Sequence, residues 1–177
     1  MKRIATAFLL GLLAAALLSG LQAALSFHLG GGWVPLSLPV VLLAWAALEA
    51  ELLEGCAAAL AVGYVMDVFA GTPKGLLTFL AVLAFQASRL ARSSLAVHGP
   101  VGFAALVGGA TTLVGAGAIL LARLTAAPEA QPGPGLLWRV LGESAVGALA
   151  ALPLHPLLAR VQRFLAREPE PGLQGHR

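Results

Sequence analysis

Charged side chains are scarce in this chain of 177 residues: Asp, Glu, Lys and Arg make up 11% of it, and aromatic residues 6%. Between Ile4 and Leu48 there is no Asp, Glu, Lys or Arg at all. A soluble fold of this size leaves much of its surface in water, and so few charged groups cannot cover it. That excludes an ordinary water-soluble domain. Cysteine is nearly absent too. The single Cys56 can form no internal disulfide, which excludes a disulfide-stapled exterior and leaves the thiol a part in helix packing. The patterns of nucleotide and metal chemistry are also missing. No glycine loop ends in Gly-Lys-Ser or Gly-Lys-Thr, and His28, His98, His155 and His176 are scattered without ligand spacing. No cofactor or metal is expected.

What is there is hydrocarbon: 59% of the residues are hydrophobic and the mean hydropathy is +0.88. About 20 apolar residues cross a bilayer once, so the uncharged run from Ile4 to Leu48 holds two crossings. The first helix extends from Met1 to Leu29. It is too long for a signal-peptide core, and Leu21-Gln22-Ala23 is a poor cleavage site, so it is retained. Gly30, Gly31 and Gly32 break it before Trp33, a residue suited to the membrane interface. A second helix follows from Pro35 to Leu48. Glu49, Glu51 and Glu54 then mark an acidic connection, and a third run, Cys56 to Ala70, is short unless Leu52 and Leu53 join it. Gly71-Thr72-Pro73-Lys74-Gly75 is a turn by its chemistry. The fourth helix runs from Leu76 to Ala91, the fifth from Val101 to Ala122, and the sixth from Leu136 to Leu158, after a linker with Pro128, Pro132 and Pro134.

The expectation is therefore an all-α integral membrane protein of about six transmembrane helices, five or fewer if the acidic connection is no true loop. Residues 1–167 form one polytopic domain, and 168–177 are a disordered cytoplasmic tail. The net charge of +3 points to topology rather than nucleic acid, because the basic residues sit at the ends of apolar runs. Lys2, Arg3, Arg89, Arg92, Arg160, Arg163, Arg167 and Arg177 fall on one side, against Lys74, Arg123 and Arg139 on the other. The larger set predicts the cytoplasmic face and both termini on it.

Few residues could carry chemistry. Gly142-Glu143-Ser144-Ala145-Val146 begins like a nucleophile elbow, but the closing glycine is missing and the setting is a membrane helix. No enzyme is expected. Asp67, one turn before the Gly71 to Gly75 turn, reads either as an interfacial carboxylate beside Lys74 or as a polar anchor for a partner or for helix packing. Arg139 and Glu143, four residues apart, can pair on one face of the sixth helix. Gly11 and Ala15, Gly108 and Thr112, and Gly147 and Ala151 have the spacing that lets helices approach closely. In a chain this rich in Ala and Gly they read mainly as background. Pro153 and Pro156 are expected to kink the sixth helix on a face packed against other helices.

Gly63-Tyr64-Val65-Met66-Asp67-Val68-Phe69-Ala70-Gly71-Thr72-Pro73-Lys74-Gly75-Leu76, followed by an apolar helix ending in Arg89 and Arg92, resembles the G-x-x-x-D-x-x-x-G-x-P-x-G segment of the MreD family of rod shape-determining proteins. Ala148 to Leu158, with trailing basic residues, is similar to that family's closing helix. The glycine-rich first connection carries no family signal. The resemblance implies a fold like the substrate-binding subunits of energy-coupling-factor transporters. It also implies a non-enzymatic scaffold in a bacterial inner membrane. Such a subunit binds MreC and, through it, approaches MreB and the peptidoglycan glycosyltransferase and transpeptidase. Asp67, Gly71, Thr72, Pro73 and Gly75 would shape the region that meets the partner. The alternative on the same architecture is a vitamin-binding transporter subunit, for which Gln86, Thr111, Thr112 and Ser144 are the sparse polar candidates.

Overall fold

The computed structural model describes residues 2–28, 37–70, 75–95, 99–125, 133 and 135–165. They form six α-helices and, among the described residues, no strand: α1 (Lys2–His28), α2 (Leu38–Glu49), α3 (Leu52–Ala70), α4 (Leu76–Leu95), α5 (Gly99–Thr125) and α6 (Gly135–Leu165). Four of these, α1, α3, α5 and α6, are long and apolar enough to cross a membrane. The architecture matches that of an all-α integral membrane protein, but the helices are not six equal crossings. With 12 residues, α2 rises about 18 Å, well short of an about 30 Å hydrocarbon core. The 20 residues of α4 are enough in length. Gln86, Ser88, Arg89, Arg92 and Ser93 make its second half polar.

Several boundaries shift. Leu52 and Leu53 join α3, which brings it to full span length, with Glu54 in its first turn. Glu49 closes α2, so the acidic connection shrinks to Ala50 and Glu51. Fourth, fifth and sixth helices all run further than their apolar cores, because arginine stems can extend a helix into the headgroup layer. The tail beyond 165, the Gly71–Lys74 turn and the linker prolines lie outside the described residues.

Packing places the long helices in a row. α1 lies on α3, α3 on α4, α4 on α5 and α5 on α6, while among the described residues α1 and α6 do not meet. The short α2 touches all five. Its residues enter every cluster of the core: Leu43 and Ala47 with Val62 and Phe85, Val41 and Ala44 with Phe103 and Val107, and Val40 with Leu80 and Ala110. Protein rather than lipid surrounds α2, so it does not need the length of a span. By contrast α1 turns Leu9, Leu10, Leu13 and Leu17 outward, as a helix solvated by acyl chains should.

Close contacts depend on small residues. On α3, Gly55, Ala59, Gly63 and Asp67 recur every fourth position and are all buried. A Cβ on Gly63 would lie 2.5 Å from the Thr78 Cα, and one on Gly55 would strike the Phe85 ring. On the other flank, a Cβ on Gly11 would lie 3.1 Å from the Ala58 Cα, and one on Gly108 3.3 Å from the Ala148 Cβ. Ala15 and Ala151 are fully buried. The pairs read as background in the sequence are thus at the helix contacts. Dispersion at short range, rather than a hydrophobic drive, holds helices together in lipid, and it favours such residues.

The prolines of α6 differ from expectation. The helix continues through Pro153 and Pro156 to Leu165. Both rings are exposed, whereas Ala151 is buried and Leu154, His155 and Leu158 are half-buried. The packed face therefore lies opposite. An outward ring lets the opposing carbonyl tilt away without moving a packed neighbour.

Candidate functional site

Two of the residues singled out by sequence, Asp67 and Gly75, come together at one joint, where α3 ends and α4 begins. Gly75 precedes α4 with φ +96°, a backbone that favours glycine. Its carbonyl accepts the first helical bond, from the Phe79 N–H at 2.9 Å, which makes Gly75 the N-cap. Glycine has no side-chain oxygen to satisfy the free N–H groups that follow. Asp67 of α3 supplies it from outside the helix. Its Oδ1 accepts from the Leu77 N–H at 2.8 Å, and its Oδ2 from the Gly75 and Thr78 N–H groups, each at 3.0 Å. The Thr78 hydroxyl donates to the same Oδ2 at 2.5 Å.

A carboxylate is suited to this place for two reasons. Its two oxygens can accept four bonds, and its negative charge faces the positive end of the α4 dipole. Asp67 is only 6% exposed, and a charge buried so deeply persists only when bonded in this way. Gly63, one turn earlier on the same face, brings α3 close enough for the carboxylate to reach. Asp67 thus anchors the packing of the two helices; Lys74, the partner in the other reading, lies outside the described residues. Gly71, Thr72, Pro73 and Lys74 lie outside the described residues. A hollow of about 280 Å³ adjoins the joint, lined in part by Ser19, Gln22, Ser37, Met66 and Phe69.

At the opposite end of the bundle, the Arg89 guanidinium donates to the Ala50 carbonyl at 2.7 Å, closing the carbonyl end of α2. It also lies 5.9 Å from the centroid of the Phe85 ring. Arg89 is therefore more than a topology signal. Arg92 and Arg160 are exposed, and Arg163 falls on the last turn of α6. Arg139 and Glu143 form the anticipated local ion pair, 3.1 Å apart, with side chains 54% and 28% exposed. His155 packs edge-on to Trp45 at 5.8 Å and beside Phe103 at 5.6 Å. Among the described residues no three His, Cys, Asp or Glu side chains come together as a metal set.

The remaining polar candidates are engaged within the bundle. Ser144 donates to the Gly108 carbonyl at 2.8 Å, and Thr112 donates in a shared bond to Ser144 Oγ and Gly108 O. Thr111 donates to the Val107 carbonyl one turn back, and Gln86 donates to Cys56 Sγ at 3.4 Å. Thr112 and Ser144 link α5 to α6 and Gln86 links α4 to α3, while the Thr111 bond stays within α5; they do not converge on one cavity. The stripe Gly55-Ala59-Gly63-Asp67 and the role of Arg89 escaped the sequence reading. Four-residue spacing of small residues was the available signal for the first, and nothing local pointed to the second. The chain matches no protein-family model, no curated protein and no solved structure.

Proposed function

We propose that this chain is a non-enzymatic membrane scaffold similar to MreD, which binds an MreC-like partner and supports lateral wall synthesis in a bacterial inner membrane. The observation that carries the reading is the joint itself. Gly63, Asp67 and Gly75, the described residues of the family-like motif, are the ones that fix α4 against α3. A motif that sets the angle of two helices suits a protein whose work is to present a surface. Asp67, Thr112 and Ser144 serve contacts between helices, as a scaffold requires. In this reading both termini are cytoplasmic and the joint lies on the outer face.

Co-purification in detergent tests it. The intact chain should retain MreC, and Asp67→Ala should reduce that recovery by loosening the outer joint. Full recovery with Asp67→Ala would remove the joint from the contact, and no recovery with the intact chain would remove the partner. The hollow beside Gln22 and Ser37 is the feature that favours a vitamin-binding transporter subunit instead. Thermal stabilisation by one member of a vitamin panel would move the assignment there.

A further inference from the structure

On the outer side of the contact between α4 and α5 runs a groove of about 260 Å³, lined almost wholly by small side chains: Ala84, Ala87, Ser88 and Ala91 face Gly102, Ala105, Gly109 and Leu113. Three observations bear on its occupant. Ser88 is 4% exposed, lines the groove, and makes no hydrogen bond with any described residue; since no fully buried side-chain oxygen among the described residues lacks a partner, its hydroxyl is the part that opens to the groove. A hydroxyl left so in an apolar setting seeks an acceptor.

The second observation lies just beyond the Ala91 end of the groove. Arg92, one turn beyond Ser88 on the same side of α4, is exposed and unpaired among the described residues. Ala91 and Gly102 both line the groove, so the start of α5 lies beside this end of α4. α5 carries no acidic residue in its first turn. The N–H groups of its first turn, to which Pro100 contributes none, and its positive dipole end add to the field of Arg92. The Ala91 end of the groove therefore lies beside positive potential.

Length is the third. From Gly102 to Leu113 the groove follows about 16 Å of helix rise, close to half of an about 30 Å hydrocarbon core. One leaflet deep is the reach of a single acyl chain.

We infer that this groove binds one anionic phospholipid of the leaflet in which α4 ends. The phosphate lies at Arg92 and the start of α5, an ester or glycerol oxygen accepts from Ser88, and an acyl chain fills the slot past Gly109. This inference is independent of the scaffold reading, since it concerns another face and another ligand.

Native mass spectrometry of the detergent-purified protein, titrated with phosphatidylglycerol or phosphatidylcholine, tests it. Gly109→Leu is the informative variant, because nothing lies within 4 Å of a Cβ built there; the new side chain fills the groove without disturbing the bundle. Gly109→Leu and Arg92→Gln should each weaken phosphatidylglycerol binding about tenfold or more, with Ser88→Ala weaker in effect. Arg3→Gln, an exposed arginine on α1, should leave it unchanged. Inorganic phosphate should not compete, since it cannot use the slot. Equal binding of the two lipids, undiminished binding by Gly109→Leu, or equal losses for Arg92→Gln and Arg3→Gln would each overturn the inference. So would a Gly109→Cys cross-link to another protein in native membranes. Monodisperse elution and unchanged helical circular dichroism establish that each variant is folded.

Discussion

Replacing Asp67 by alanine strands the N–H groups of Gly75, Leu77 and Thr78 at the start of α4 and takes away the acceptor of the Thr78 hydroxyl. Loss of an N-cap oxygen costs about 0.5 to 2 kcal/mol, and each buried donor left unmade costs about 1 to 3 kcal/mol. These terms overlap, because water or a rotated threonine hydroxyl recovers part of the deficit. A loss of about 3 to 4 kcal/mol is expected. Asp67→Asn keeps one acceptor oxygen but loses the charge, and turns an NH2 group toward other N–H groups; about 2 kcal/mol is expected there. Unfolding followed by circular dichroism in mixed dodecylmaltoside and sodium dodecyl sulfate micelles reads both. A Gly63→Ala partner variant strengthens the test, because it pushes α4 away from the carboxylate. The double variant should then lose less than the sum of the singles. If Asp67→Ala lies within about 0.5 kcal/mol of the wild type, the range of ordinary surface substitutions, the cap contributes nothing and the account of the joint is wrong.

Gly63→Leu should abolish the close approach altogether, since its Cβ alone would meet backbone at 2.5 Å; loss of a folded, monodisperse peak on gel filtration checks this. Arg89→Ala removes the bond to the Ala50 carbonyl and should cost about 1.5 to 3 kcal/mol, with faster hydrogen exchange confined to the end of α2 as the local readout. Ser144→Ala should cost only about 0.6 kcal/mol, the usual worth of an interhelical hydrogen bond in membranes. Arg139→Ala should cost still less, about 0.2 to 0.5 kcal/mol, because its partner Glu143 lies on the same exposed helix; both are measured in the same micelle titration.

The number and type of helices were legible because charge is so sparse that every apolar run stands out. Their ends were less so. Leu52 and Leu53 belong to α3 although three glutamates surround them, because the end of a membrane helix follows backbone bonding rather than the hydropathy of single residues. Asp67 could be picked out as a charge too costly to leave unpaired, yet its donors are backbone N–H groups and no residue type marks those. Arg89 is the harder case. Its acceptor is a carbonyl of Ala50, 39 positions away, and carbonyls carry no sequence identity. The small-residue pairs failed for a statistical reason: with 21 glycines in the chain, spacing alone cannot distinguish a contact from chance. That α2 is a core element and not a crossing was hidden, because a core helix and a lipid-facing helix read equally apolar.

The central position of α2 has a consequence for how the chain is made. Four of the five helices it touches, α3 through α6, follow it in the sequence, so when α2 leaves the ribosome nearly all of its final neighbours have yet to be synthesised. Only α1 is present to hold it. The segment that ends up innermost is therefore laid down second and locked in last, when α5 and α6 arrive. Truncations that stop short of α5 should leave it poorly anchored and exposed to quality-control proteases.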